Sequence, residues 1–190
     1  MSKQLFIIAG ANGSGKTTLA KELLPEFGLK FINADEVARE INPDDLQAVR
    51  IQAGKLVLKK INELLLQGIS FAIETTLSGN FLVKTIKQAR QQGYNTALIY
   101  CFVDNPNICI ERIKVRVKRG GHFVPDEDVI RRFYRSKSNL WYKYRDIVDK
   151  WMLFYNGIEK IELVASGIKG DYNLLDESSF ELFLKDIKND

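Results

Sequence analysis

The run Gly10-Ala11-Asn12-Gly13-Ser14-Gly15-Lys16-Thr17 lies between an apolar segment, residues 4–9, and a helical segment, residues 15–24. It fits G-x-x-x-x-G-K-[ST] in the strand-loop-helix setting that gives this pattern a mechanism. Its glycines let the backbone turn N–H groups inward around phosphate oxygens, and the following helix presents the positive end of its dipole. Lys16 is spaced to reach the β and γ phosphates, and the Thr17 hydroxyl to bind Mg²⁺. Gly10, Ala11, Asn12, Gly13, Ser14, Gly15, Lys16, Thr17 and Thr18 are therefore the expected ATP-binding residues, with ATP and Mg²⁺ as cofactors. Such a loop commits the chain to an α/β fold whose ligand lies at the carboxyl ends of parallel strands.

The rest of the pattern alternates in the same way. After the first helix, ended by Pro25, strands are expected at 29–32, 69–74 and 96–103. Helices are expected at 36–41, at 46–67 with Gly68 as the stop signal, and at 80–92 before Gly93. Two more, 106–119 and 126–149, flank Gly120-Gly121. Residues 151–155 and 160–165 flank Asn156-Gly157, a hairpin signal, and a terminal helix follows at 178–188. The expectation is one domain over residues 1–190, with a mostly parallel sheet covered on both faces and an antiparallel edge.

Composition excludes several classes. With 45% hydrophobic and 27% charged residues, 4 Pro and 13 Gly, the chain of 190 residues is neither disordered nor collagen-like. Two cysteines, Cys101 and Cys109, and one histidine, His122, support neither a disulfide framework nor a Cys/His zinc site. No stretch approaches the ~18 apolar residues of a membrane span. The expected setting is cytoplasmic, with reduced, buried thiols.

Three carboxylates follow strands and should emerge at the phosphate end of the sheet. Asp35, in Asn33-Ala34-Asp35-Glu36, is placed to act as base on an acceptor hydroxyl; its alternative is the cap of the helix 36–41. Glu74, in Glu74-Thr75-Thr76, is either exposed at the sheet mouth or costly, which suggests a role toward substrate or Mg²⁺-bound water. Asp104 ends an hhhhD run, as a Mg²⁺-assisting acid would, but Asp104-Asn105-Pro106 also reads as a capped helix start, and the cap is favoured.

Charge is uneven. Residues 112–137 hold nine Lys or Arg against Asp126, Glu127 and Asp128, a balance of +6, which leaves −2 for the remainder. At 100° per residue Arg112, Arg116 and Arg119 fall within about 60° of one another, opposite Cys109, Ile110, Ile113 and Val117. Arg131, Arg132 and Arg135 return on the next helix. Two basic helices joined at Gly120-Gly121 are expected to form a lid whose arginines stabilise charge during phosphoryl transfer. His122 lies in the joining turn, open to a role near phosphate or to plain exposure. Trp141, Tyr142, Tyr144 and Trp151 are spaced for packing rather than for stacking bases.

With Gly10 to Thr18, Phe31-Ile32-Asn33-Ala34-Asp35, Phe71-Ala72-Ile73-Glu74-Thr75-Thr76-Leu77-Ser78-Gly79 and Arg119-Gly120-Gly121-His122-Phe123-Val124-Pro125 in order, the chain resembles the zeta-toxin-like P-loop kinases, closest to their short bacterial branch. The likeness runs from about residue 3 to residue 157. It implies a P-loop NTPase fold with a kinase-type sheet, and transfer of phosphate from ATP to a hydroxyl of a small metabolite, such as a UDP-N-acetylamino sugar. It also implies Lys16 as loop lysine, Thr17 as metal ligand, Asp35 as base, and Glu74 with neighbouring Thr75 in acceptor binding. Arg112 matches the first lid arginine. The second falls near His122, where this chain departs from the family; Arg116 and Arg119 are the alternatives. An antitoxin protein is the partner implied. The other readings are a nucleotide-driven switch acting on a protein and, disfavoured by the −2 balance outside 112–137, a polynucleotide 5′-hydroxyl kinase. A transporter ATPase is excluded, because Leu77-Ser78-Gly79 is not followed by Gly-Gln.

Overall fold

The computed structural model describes residues 2–24 and 28–187. Five strands, β1 (Gln4–Ala9), β2 (Lys30–Asn33), β3 (Phe71–Thr75), β4 (Asn95–Phe102) and β5 (Lys150–Asn156), pair in parallel. Two more, β6 (Ile161–Ile168) and β7 (Asp171–Leu174), return antiparallel, and the order is β2-β3-β1-β4-β5-β6-β7. The helices are α1 (Lys16–Leu23), α2 (Ala34–Ile41), α3 (Arg50–Gln67), α4 (Phe81–Gln91), α5 (Pro106–Lys118), α6 (Asp126–Asn139) and α7 (Glu177–Leu184). This is the α/β P-loop fold, with helices on both faces of a mostly parallel sheet.

Period-two alternation builds the two faces. Leu5, Ile7 and Ala9 of β1, with Leu98, Tyr100 and Phe102 of β4, turn into a core shared with Ile61 of α3, Ile86 of α4 and Phe183 of α7. Ile8, Ile99 and Cys101 turn the other way, onto Leu19 and Ala20 of α1. A third apolar cluster, at the carboxyl end of the sheet, joins α5 to α6 through Cys109, Ile110, Ile113, Val124, Val129 and Phe133 and includes Ala11 of the glycine loop. The two basic helices are thereby packed directly on that loop.

Three elements differ from the sequence expectation, each for a local reason. The helix expected from residue 46 begins at Arg50, because Asn42 Oδ1 accepts from the amides of Asp44 and Asp45, and Asp45 Oδ1 from that of Ala48. Side-chain bonds to backbone hold 42–48 as turns, while Leu46 and Val49 still pack on the core. The helix expected over 126–149 stops at Asn139 and gives way to a π-helical turn, Leu140–Tyr144. Asp149 then accepts from the amide and hydroxyl of Thr96, pinning the start of β5 beside β4. The single hairpin is two, since β7 follows a turn at Lys169 and Gly170; its four residues are all exposed, so no alternation marks it. Pro25 and Lys188, expected ends of helices, lie outside the described residues.

Lys137, counted with the basic segment, is fully buried. Its ammonium lies against the rings of Phe102, Phe133 and Phe183 and donates to Asp186 at 2.7 Å. Burial pulls its pKa down, and Asp186 opposes this. It fastens the end of α7 to α6 rather than adding to a basic surface.

Gly54 sits inside α3, and a Cβ there would meet nothing within 4 Å. Gly54→Ala should therefore stabilise the protein by about 0.5–1 kcal/mol, because alanine has less backbone freedom to lose. A rise in the denaturation midpoint at unchanged slope is the expected reading.

Candidate active site

The loop between β1 and α1 is shaped from below. Gly13 and Gly15 have φ of 80° and 102°, and a Cβ at Gly13 would come within 2.5 Å of the Cys109 carbonyl. A Cβ at Gly15 would strike the Asn156 carboxamide. That carboxamide donates to the Ser14 carbonyl at 2.8 Å, and the Cys101 thiol lies 3.2 Å from the same oxygen. Burial pushes the Cys101 and Cys109 thiols up to about 12 and about 11, so both are packing groups, free and protonated. Gly10, Ala11 and Ser14 thus form the floor of the loop. Asn12, Gly13, Gly15, Lys16, Thr17 and Thr18 line a cleft of about 380 Å³ above it.

Glu74, at the end of β3, faces this loop. It accepts from the Thr17 hydroxyl at 2.9 Å, and Lys16 Nζ stands 3.9 Å from its other oxygen. Lys16, 6% exposed, also donates to the Ala11 carbonyl at 2.8 Å. A hydroxyl and a carboxylate side by side form an all-oxygen donor set, which suits Mg²⁺; that ion needs only one or two protein ligands when phosphates supply the rest.

Asp35 lines the same cleft, from the first turn of α2. The cap of that helix is Asn33, whose Oδ1 accepts from the Asp35 amide at 2.8 Å, so the capping alternative for Asp35 is removed and its carboxylate is left to the cleft. Arg39, one turn further on, lines the cleft as well. It was not singled out in the sequence, although its i,i+4 spacing from Asp35 places both on one helix face.

Arg112 and Arg116 project from α5 into the cleft. Arg112 Nη2 is 3.5 and 3.4 Å from the carbonyls of Asn156 and Gly157, and Arg116 donates to the His122 carbonyl at 2.8 Å. Arg119 does not join them: α5 ends at Lys118, and Arg119 closes it from an exposed position. Of the arginines read on the second lid helix, one touches the loop. Arg132, on α6, donates to Asn12 Oδ1 at 3.0 Å and pairs with Asp128 at 2.9 Å, and it is 21% exposed. Its signal was the Asp128-Arg132 spacing on a helix that starts just after Pro125.

Arg112→Ala should therefore lower kcat about 10²-fold or more, as for a lost phosphate-facing arginine. Arg119→Ala should change kcat by less than twofold and stability by less than about 0.5 kcal/mol. Steady-state kinetics and melting curves of the two variants check this directly.

Three further residues of the sequence reading lie outside this cleft. Thr75 is not at the cleft, because its hydroxyl accepts from the Leu77 amide within the loop after β3. His122 lines an adjoining cleft of about 340 Å³ shared with Arg39, Gln47 and Phe123, its Nε2 3.3 Å from the Gln47 carboxamide. Burial lowers the His122 pKa, helped by Arg116, Arg39 and Arg132 and opposed by Asp35. The capped helix start at Asp104-Asn105-Pro106 is present, but Asp104 is not its cap. Asn105 is the cap, and Asp104 accepts from the Tyr155 hydroxyl, which raises the tyrosine to about 12. Of the four aromatic residues expected to pack, Tyr144 and Trp151 are buried and Trp141 lies edge-on to Trp151, Tyr172, Phe180 and Phe183, whereas Tyr142 is exposed. Among the described residues no helix is long and apolar enough to cross a membrane.

The sequence pattern described as an AAA domain matches residues 5–138, more than half of the chain and all of the cleft except the β5 end. The chain belongs to this AAA domain family. It is 34% identical over 134 residues to an uncharacterized protein of Haemophilus influenzae, covering 70% of this chain and 94% of that one. It is 33% identical over 84 residues to cytidylate kinases of Saccharolobus islandicus, covering 40% of this chain and 44% of theirs. Two solved structures share the fold. The AvrRxo1-ORF1:-ORF2 complex with ATP superposes at a TM-score of 0.80 with 17% identity, over 100% of this chain and 66% of that one. The PezAT chromosomal toxin-antitoxin system of Streptococcus pneumoniae superposes at 0.67 with 16% identity, over 97% and 86%. The AAA domain of this chain is a kinase-like P-loop domain, and at 16–17% identity these two structures show a shared fold alone.

Proposed function

We propose that the protein is an ATP-dependent phosphotransferase that moves the γ-phosphoryl group to a hydroxyl of a small metabolite. The observation that carries this reading is one cleft lined by Lys16, Thr17, Asp35, Glu74, Arg112 and Arg116. The cytidylate kinase relatives and the ATP in the AvrRxo1 complex support it. In the reaction the loop amides and Lys16 hold the β and γ phosphates, and Lys16 offsets charge on the bridging oxygen as its bond to the γ-phosphorus breaks. Asp35 accepts the acceptor hydroxyl's proton while that oxygen bonds to the γ-phosphorus, and ADP departs. Arg112 and Arg116 neutralise the equatorial oxygens. Thr17 and Glu74 would hold Mg²⁺, which supplies charge neutralisation between the phosphates when bound.

The test is transfer from γ-labelled ATP to a panel of sugars, nucleosides and nucleotides, with the UDP-N-acetylamino sugar of the resemblance as one member. A labelled product that disappears in Asp35→Asn supports the reading. ATP loss with no labelled acceptor would replace it with an ATPase acting on a protein. An antitoxin-type partner is part of the proposal, supported by the likeness to the PezAT system, and co-expression with neighbouring reading frames is its check.

A further inference from the structure

A second cleft, of about 420 Å³, opens between α6 and the loop that joins β3 to α4. Arg131, Arg135 and Lys143 line it with Ser78, Tyr134 and Ser138, and no carboxylate does. Arg131 is taken up by Asp128 at 2.5 Å and Lys143 by Asn80 Oδ1 at 2.8 Å. Arg135 makes no hydrogen bond or ion pair among the described residues. The cleft therefore offers one free guanidinium between two further cations.

The wall opposite Arg135 is built with care. Asn139 donates to the Leu77 carbonyl at 2.8 Å, Tyr144 to the Gly79 carbonyl at 2.7 Å, and Lys143 to Asn80 Oδ1 at 2.8 Å, so three residues from the end of α6 and the π-helical turn pin three residues of the loop. Leu77 is held at φ 57°, the left-handed region that a leucine rarely adopts. Strain of this kind, and π-turns, cluster at ligand clamps because only an over-determined surrounding maintains them.

The position ties this cleft to the reacting centre twice. Ser78 is four residues past Glu74, at most about 14 Å of extended chain. Arg135 is one helical turn past Arg132, which itself touches Asn12 of the phosphate loop, so the two arginines are neighbours on α6.

We infer that this cleft is the acceptor pocket and that the acceptor carries an anionic group, a phosphate or a carboxylate, received by Arg135 with Arg131 and Lys143 beside it. This rests on the phosphotransferase reading above and names its substrate class. Arginine suits the task, because its planar fork meets either anion with two parallel hydrogen bonds. Neutral sugars and nucleosides would leave the exposed guanidinium to water.

Two measurements test it. In ¹H–¹⁵N spectra, inorganic phosphate or acetate should shift the amides of Ser78, Gly79, Ser138 and Asn139, and these shifts should vanish in Arg135→Ala and return in part in Arg135→Lys. Whichever anion shifts them at lower concentration identifies the group. In transfer from labelled ATP, a panel pairing sugar phosphates and hydroxy acids with their neutral counterparts should be labelled on the anionic members. Arg135→Ala should raise the acceptor KM about 10- to 100-fold, the scale of a lost charge-assisted hydrogen bond, at least tenfold more than it changes the KM for ATP. Equal use of neutral acceptors, or an acceptor KM unmoved by Arg135→Ala, overturns the pocket and leaves the phosphotransferase standing. Shifts at the cleft in a protein that labels no acceptor overturn the phosphotransferase, and the acceptor role of the cleft with it.

Discussion

Replacing Lys16 with alanine is expected to lower phosphate transfer by about 10³-fold or more and to leave the fold in place. The side chain is nearly buried, between the Ala11 carbonyl and Glu74, and it is the cation closest to where the β and γ phosphates would lie. A preorganised charge in a partly dry site offsets developing negative charge without solvent rearrangement, and single groups of this kind are worth about 10²–10³ in rate. Truncation also removes one of the two donors to the Ala11 carbonyl, which keeps the Ser14 amide at 3.2 Å, so the loss of stability should be only about 1 kcal/mol. Lys16→Met lacks the charge and the donor as well but keeps the buried stem, so both variants should lose turnover while the methionine variant retains the packing contribution to the melting temperature. Wild-type turnover in a folded Lys16→Met would sink the proposed chemistry.

The parts of this molecule that could be read in the sequence are those whose cause is local. Gly10 to Thr17 needs only a strand before it and a helix after it, and both are present. The parallel strands declared themselves as apolar runs, because a strand buried on both faces has no choice but to be hydrophobic. Asn33 and Asn105 show where local reasoning leaves a role open. Capping is the alternative for Asp35 and the favoured reading at Asp104-Asn105-Pro106, and in each case a nearby Asn supplies the cap, leaving Asp35 free for the cleft and Asp104 for Tyr155. Asn and Asp cap about equally well, so only the backbone geometry chooses between them.

What the sequence withheld was proximity. Arg132, Asn12 and Asn156 are separated by up to 144 residues, and only the docking of α6 and β5 on the loop brings them together. The same holds for charge. The stripe on α5 was legible as three arginines, but its third member depended on where the helix ends, one residue short of Arg119. Lys137 was legible as a cation, yet three phenylalanines from three different elements decide that it is buried. A running charge balance cannot distinguish a lysine under aromatic rings from one over a phosphate.

Asp35 carries the second large expectation: Asp35→Asn should lower kcat by about 10²–10⁴ while the KM for ATP changes little. General-base assistance is worth that much, and the amide cannot take the proton. The substitution is nearly isosteric, and the Asn33 cap, which bonds the backbone amide at 35 rather than its side chain, is untouched, so stability should hold. Glu74 is the competing base, but its two oxygens already face the Thr17 hydroxyl and the Lys16 ammonium. A carboxylate so engaged is better placed to orient the metal side of the loop than to approach an acceptor, whereas Asp35 stands across the cleft with Arg39 beside it. Glu74→Gln should accordingly weaken the Mg²⁺ dependence of the rate, and Asp35→Asn should leave that dependence alone. A loss of kcat confined to Glu74→Gln, with Asp35→Asn at the wild-type rate, would transfer the base to Glu74 and return Asp35 to a surface carboxylate at the start of α2.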